Sequence, residues 1–408
     1  MSSAMGGQRR ALSVESPFGR LAELLDGIEP GLPPIDLAVG GPRHPWPKFI
    51  SQILHSSEEG LARYPAIKGS PELCGAIAAW LARRYPGTGN RIDPDRHVMP
   101  LCGTREGLFY ATFPAIQRRP DIERPVALIP NPFYQTYAAS AHCAGAEPVY
   151  LPAGAETGFL PDLEAIDPAL LERTAVLYLC SPSNPQGAVA KADYLAAAAK
   201  LARAHDFMLF ADECYSEIYT DTPPPGALES GEGFANVVSF QSLSKRSNLP
   251  GLRSGFCAGD ADFIAALTLL RNVAGPQMPI PVQEASRALW EEESHVEESR
   301  ALYREKFAIA DAILGGYAGY SRPQAGFFLW LDMAPLGGGV SAVKTLWKEC
   351  GVRLLPGSFL SQTGPDGSDP GENYVRLALV ASPQETREAL ERIARLLERP
   401  GLQEPQES

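Results

Sequence analysis

Thr174-Ala-Val-Leu-Tyr-Leu-Cys180, Ser181-Pro-Ser-Asn-Pro-Gln-Gly187, Asp193-Tyr-Leu-Ala-Ala-Ala-Ala-Lys-Leu-Ala-Arg-Ala-His205 and Phe207-Met-Leu-Phe-Ala211 follow one another within a single span of the chain. The first piece is a short unbroken apolar run that stops at Ser181-Pro182, which reads as a strand buried on both faces. The Ala-rich piece repeats its apolar residues at helical spacing. The last piece is again a short apolar run. Strand, helix, strand in this order is the unit from which a parallel sheet covered by helices is built.

Working outward, the same grammar continues. Pro125–Pro130, Asn236–Gln241 and Gly255–Gly259 read as further strands. Beyond them the pattern changes. A charged amphipathic helix is expected over Glu291–Ala310, strands over Ala325–Asp332 and Tyr374–Val380, and a closing helix over Pro383–Arg395. Pro223–Gly226, Gly337–Gly339 and Gly364–Gly371 read as surface loops. The expected organisation is a tail at 1–15 without order, an N-terminal segment 16–44 on the smaller domain, a large α/β domain at 45–284 and a small α+β domain at 285–408.

Composition narrows the function classes. The chain carries 36 Lys and Arg against 48 Asp and Glu, a formal charge of −12. An acidic chain without a basic stripe does not suit nucleic acid as a main partner. The seven cysteines are scattered with no CxxC pair, so neither a zinc site nor a disulfide framework is expected, and a reducing cytoplasm fits. No apolar run is long enough to span a membrane.

The residues that can carry chemistry sit just after predicted strands, where open α/β sheets bind ligands. Ser242-Leu-Ser-Lys245, followed by Arg253, offers two hydroxyls, an amine able to form a Schiff base and a fork for a phosphate dianion. An exposed basic turn explains the string equally well by itself. Asp212 follows an apolar strand directly. A carboxylate there needs a partner such as a protonated ring nitrogen, or else it caps a helix. Tyr215 lies three residues on and can face the same place or simply pack. Asn184, in the turn Ser181–Gly187, reads alone as a plain turn residue. Gly103-Thr104-Arg105 open a helical stretch whose free N–H groups suit phosphate, unless Thr104 is only its cap. Tyr134 offers an aromatic face for a flat ring. Arg376, within the apolar Tyr374–Val380 run, needs an anion beside it unless its head reaches water.

Together, in this order, these pieces resemble the class I/II aminotransferases of pyridoxal 5'-phosphate (PLP) fold type I, over nearly the whole chain from about Leu37. The spacings carry the resemblance: 28 residues from Asn184 to Asp212, 33 to Lys245 and 8 to Arg253. It implies a PLP-dependent transferase fold and assigns roles. Lys245 holds the cofactor as a Schiff base, Asp212 pairs with the ring nitrogen, Tyr215 and Asn184 bond the phenolic oxygen, and Tyr134 stacks on the ring. Gly103, Thr104, Ser242, Ser244 and Arg253 surround the phosphate with Arg105 beside them. Tyr64 reaches the phosphate of a neighbouring subunit, so a homodimer is implied. Arg376, with the backbone at Gly40, clamps the substrate α-carboxylate. The strings PNPFYQTY, ADECYSEIY and SLSKRSNLPGLRSGF are similar to the proteobacterial N-succinyldiaminopimelate aminotransferases. These exchange an amino group between glutamate (2-oxoglutarate) and the dicarboxylic keto acid N-succinyl-2-amino-6-oxopimelate. Two positions depart from that pattern: Gly41 stands where Glu is usual, and Gln186 where a small residue is usual. Arg43 and Gln277-Met278 are candidates for the distal end of the substrate. Aspartate-, aromatic- or kynurenine-type aminotransferases and a carbon–sulfur lyase share the same cofactor residues. A PLP-sensing regulator would need an N-terminal DNA-binding domain, for which fewer than about 40 residues precede the match.

Overall fold

The computed structural model describes residues 15–231 and 233–399. The tail expected over 1–15 therefore lies, apart from Glu15, outside the described residues. Seven strands form the large sheet: β1 (Val98–Leu101), β2 (Val126–Asn131), β3 (Glu147–Pro152), β4 (Thr174–Cys180), β5 (Met208–Asp212), β6 (Val237–Ser242) and β7 (Gly255–Gly259). Their order across the sheet is β1-β7-β6-β5-β4-β2-β3. All neighbours are parallel except β7, which runs antiparallel to both β6 and β1. Val98–Leu101 and Glu147–Pro152 are strands that the apolar-run reading passed over. The first is only four residues long, and the second is half exposed at the sheet edge.

The uninterrupted apolar runs have a physical cause. In β4, Leu177 and Leu179 enter one core together with Leu128 and Leu209, while Val176 and Tyr178 enter the core on the opposite face with Ile129 and Phe210. Helices cover both faces, so neither set of alternate residues can be polar. Each such side chain contributes about 1.5–3 kcal/mol by leaving water. The parallel strands also deliver their carboxyl ends to one edge. Leu101, Asn131, Cys180, Asp212 and Ser242 all end there.

A second, antiparallel sheet has the order β9-β10-β8, with β8 at Phe328–Asp332, β9 at Leu355–Pro356 and β10 at Tyr374–Ala378. It shares a core with Leu21, Leu25 and Leu37 of the N-terminal segment and with the helix Pro383–Leu397. Ser382 and Glu385 form a capping box at the start of that helix. Ile35–Asp36 also pairs with Val352–Arg353.

Several expectations shift. The helix expected over Glu291–Ala310 runs from Ser294 to Leu314, and Glu291 instead ends a preceding helix, Ile280–Glu291. Glu292 separates them in extended backbone, and its carboxylate accepts the Ser294 N–H at 2.7 Å and the His295 N–H at 3.3 Å. The first of these helices crosses the boundary expected at 284/285 and keeps Leu289 and Trp290 in the core of the large sheet. Gly337–Gly339 is not a surface loop. It starts the helix Gly338–Thr345, and Gly338 and Gly339 are buried. A Cβ on Gly339 would stand 2.2 Å from the Tyr374 carbonyl, so glycine is required by close backbone approach. Pro223–Gly226 is likewise partly buried, with Gly226 against the Tyr85 ring.

Candidate active site

Lys245 follows β6 in a short helical turn, Leu243–Arg246, which Ser242 caps by accepting the Ser244 N–H at 3.2 Å. The string is not an exposed basic turn. Arg246 is 3% exposed and pairs with Glu293, and the Lys245 amine points inward to donate to the Gly40 carbonyl at 2.7 Å. That amine lies 5.3 Å from the Phe327 ring and 5.7 Å from the Tyr215 ring. Burial lowers its pKa from 10.5 to about 8. The Cys214 thiol opposes the shift, and the Arg376 guanidinium adds to it.

Asp212 closes β5 and is 6% exposed. It caps no helix, because the chain continues as turns. Its Oδ2 accepts the Tyr137 hydroxyl at 2.6 Å and its Oδ1 accepts the Cys214 N–H at 3.3 Å. Tyr137 stacks on Tyr178 with centroids 4.5 Å apart, and the Tyr178 hydroxyl bonds Ser140 and Thr112. Sequence reasoning missed Tyr137. Its only signal was a position one helical step beyond Tyr134.

Gly103 precedes the helix Thr104–Gln117 and is its N-cap, with φ +88° and no side-chain cap. Thr104 is therefore not the cap; its hydroxyl meets the Cys214 thiol at 3.1 Å. A Cβ on Gly103 would stand 2.2 Å from the Arg253 guanidinium. Arg253 itself is held with φ +54° and donates to Pro250 at 2.8 Å. The amides opening this helix and the Arg253 guanidinium meet at Gly103, whose φ of +88° disfavours a side chain, and together they could hold a phosphate group. Arg105 donates to the Tyr134 hydroxyl at 2.6 Å.

Arg376 is 4% exposed and not a rim residue. Its guanidinium donates to Asn184 Oδ1 at 2.9 Å and to the Ala38 carbonyl at 2.8 Å, and it covers the Phe328 ring at 4.5 Å. Its Nε has no partner among the described residues. Burial lowers its pKa from 12.5 to about 10, partly countered by Tyr215, so it stays charged at neutral pH. A buried cation without a carboxylate partner is costly unless an anion binds there. Tyr215 is also buried, which raises its hydroxyl well above its ordinary range.

Other residues lie elsewhere. Arg43 is exposed and donates to the Asp36 carbonyl at 3.0 Å. Met278 is core, in contact with Ser286, and Gln277 is on the surface. Tyr64 is 96% exposed. Gln186 is buried and reaches the Ala153 carbonyl at 3.4 Å. Gly41 has open space where a Cβ would stand, so a larger side chain there is sterically free.

These elements bring Lys245, Asp212, Arg253 and Arg376 to the carboxyl edge of a mostly parallel sheet, an arrangement suited to a phosphate-bearing cofactor and a carboxylate substrate. Residues 33–393 match the model of the family "Aminotransferase class I and II", and the chain belongs to that family. An LL-diaminopimelate aminotransferase of Dehalococcoides mccartyi is 32% identical over 365 residues, covering 88% of this chain and 90% of that protein. An aminotransferase structure from Neisseria meningitidis is 39% identical with a TM-score of 0.88, covering 94% of this chain and 97% of its own. A structure from Thermus thermophilus described as a probable N-succinyldiaminopimelate aminotransferase is 27% identical with a TM-score of 0.81, covering 93% and 100%. Members of the family use PLP. The residues present fit it: a cradle that a Cβ at Gly103 would fill, a lysine at its edge, a buried carboxylate and a guanidinium with an orphaned nitrogen. Among the described residues no helix is long and apolar enough to cross a membrane.

Proposed function

We propose that this aminotransferase moves an amino group between glutamate and N-succinyl-2-amino-6-oxopimelate, with Lys245 as its central base. The observation that carries the reading is that Lys245 and the buried, incompletely partnered Arg376 donate to carbonyls of one segment, at Gly40 and Ala38. One group handles a proton, and the other holds a carboxylate beside it. When bound, PLP supplies the electron sink that lets the α-carbon of an amino acid ionise.

The protein's residues do the rest. Arg376 and Asn184 fix the α-carboxylate, orienting the α-hydrogen toward the lysine. With a pKa of about 8, the Lys245 amine is partly neutral at physiological pH and can take that proton and return it. Asp212, held by Tyr137 and the Cys214 amide, would keep the proton on the cofactor ring nitrogen. Gly103, Thr104, Ser242, Ser244 and Arg253 would hold the phosphate. Both substrates carry an α-carboxylate, so one Arg376 serves both half-reactions.

The active unit is proposed to be a homodimer. Tyr64, Leu61, Leu269 and Val273 are 96%, 70%, 71% and 91% exposed, large apolar side chains that a second copy would cover, placing Tyr64 at its phosphate site. Sedimentation should give twice the chain mass.

The substrate choice rests on likeness in the strings around Lys245 and in the Thermus thermophilus structure. The Dehalococcoides mccartyi relative favours a second reading, free LL-diaminopimelate as amino donor. Turnover of N-succinyl-LL-diaminopimelate and of LL-diaminopimelate, each with 2-oxoglutarate, separates them. A kcat/KM at least tenfold higher for the succinyl compound supports the first reading. The reverse order overturns it.

A further inference from the structure

Lys306, on the helix Ser294–Leu314, has no exposed surface and, among the described residues, no carboxylate in hydrogen-bond contact. Its amine donates to His44 Nε2 at 2.6 Å and to the Leu379 carbonyl at 2.9 Å. The hydrogen-bond partners of this buried amine are neutral, and Glu305 and Glu385 act on it only through space, an expensive arrangement that core packing alone does not call for. What it joins is informative. Leu379 follows β10, the strand that carries Arg376. His44 lies four residues beyond Gly40, whose carbonyl receives the Lys245 amine. The two segments already touch where Ala378 N–H meets the Leu37 carbonyl at 2.8 Å and where Arg376 meets Ala38. Lys306 adds the third tie, at the far end.

The same cluster reaches the lysine loop. His44 Nδ1 lies 3.2 Å from the Ser299 hydroxyl, and Asn248 donates to that hydroxyl at 3.1 Å. The His44 ring leans on Tyr303 at 4.2 Å, Tyr303 stacks on Phe327 at 5.5 Å, and Phe327 faces the Lys245 amine. Lys306 and Ser299, on one helix, therefore tie together three segments that lead to Gly40 (through His44), Arg376 (through Leu379) and Lys245 (through Asn248). The protonation states agree with the geometry: burial, with Lys306 beside it, lowers His44 to about 3, so the imidazole stays neutral and accepts.

We propose that Lys306 and His44 are a positioning pair that holds the Gly40 segment in register with the Arg376 strand and so shapes the substrate-carboxylate site. Neither residue touches substrate. The inference rests on the placement of the substrate carboxylate at Arg376. Lys306→Met keeps the aliphatic stem and removes the tie. In the holoenzyme, KM for glutamate should rise about tenfold, about 1.4 kcal/mol of binding, while kcat and cofactor content stay within about twofold. His44→Leu should behave the same way. His44→Gln, which keeps an acceptor for the ammonium, should retain most of the native KM. This contrast carries the test if Lys306→Met does not accumulate as holoenzyme. An unchanged KM in folded Lys306→Met, equal losses for His44→Gln and His44→Leu, or a loss of kcat and cofactor content alongside the rise in KM each overturn the proposal. Arg376→Lys, measured alongside, separates the layers. If it raises KM and Lys306→Met does not, the positioning pair is refuted. If Arg376→Lys leaves KM unchanged, the carboxylate placement fails, and the inference with it.

Discussion

Replacing Lys245 by Met tests whether the fold holds its central amine at an energetic cost. Burial lowers the amine from 10.5 to about 8. At 1.36 kcal/mol per unit, forcing the charged form into the folded site costs about 3 kcal/mol at neutral pH. The amine recovers about 1 kcal/mol through its bond to the Gly40 carbonyl. Met keeps the stem and loses both contributions, so the cofactor-free Met variant should be about 2 kcal/mol more stable than the cofactor-free wild type at pH 6.5. The pH dependence follows from proton counts. The unfolded chain keeps this lysine protonated up to about pH 10.5, and the folded chain releases the proton near 8. Between those values the unfolded state binds more protons, and wild-type stability rises with pH. The advantage of the variant is therefore full below pH 8 and fades between 8 and 10.5. Urea unfolding of both cofactor-stripped proteins at pH 6.5, 8 and 9.5 measures it. A Met variant no more stable than wild type at pH 6.5, or a difference that ignores pH, would refute the reasoning.

Other substitutions address the neighbours of the lysine. Tyr137→Phe removes the 2.6 Å bond to Asp212 Oδ2; a bond to a charged acceptor is worth roughly 1.5–3 kcal/mol, so kcat/KM should fall about 10- to 100-fold with the fold intact. Native kcat/KM in this variant would mean that Asp212 needs no such support. Gly103→Ala places a Cβ against the Arg253 guanidinium at a backbone angle that disfavours any side chain, and titration should show PLP affinity weakened more than tenfold. Unchanged affinity would remove Gly103 and Arg253 from the phosphate cradle.

Much of this was legible in the sequence, for reasons that particular residues make plain. β4 was visible to the residue because a strand covered on both faces tolerates no polar interruption between Thr174 and Cys180. β3 was hidden because an edge strand need not be apolar. Gly337–Gly339 resembled a flexible loop because glycine spacing records conformational freedom and close approach alike; only the nearby Tyr374 carbonyl tells them apart. Lys245, Asp212 and Arg376 stood out as polar residues at the ends of, or within, apolar runs, where each needed a partner. Tyr137 and Lys306 did not. A tyrosine or a lysine in an amphipathic helix is ordinary until the fold shows which face it turns inward and which distant residue it meets.

The central claim, that Lys245 is the residue that holds the cofactor, has a direct test. Treating the PLP-loaded enzyme with borohydride fixes the cofactor to whichever amine carries it, and peptide mass mapping locates the label. The account predicts a phosphopyridoxyl group on the peptide containing Lys245 and no label at that position in Lys245→Met. Label on another lysine, or an unlabelled Lys245 in an enzyme that turns over, would contradict it.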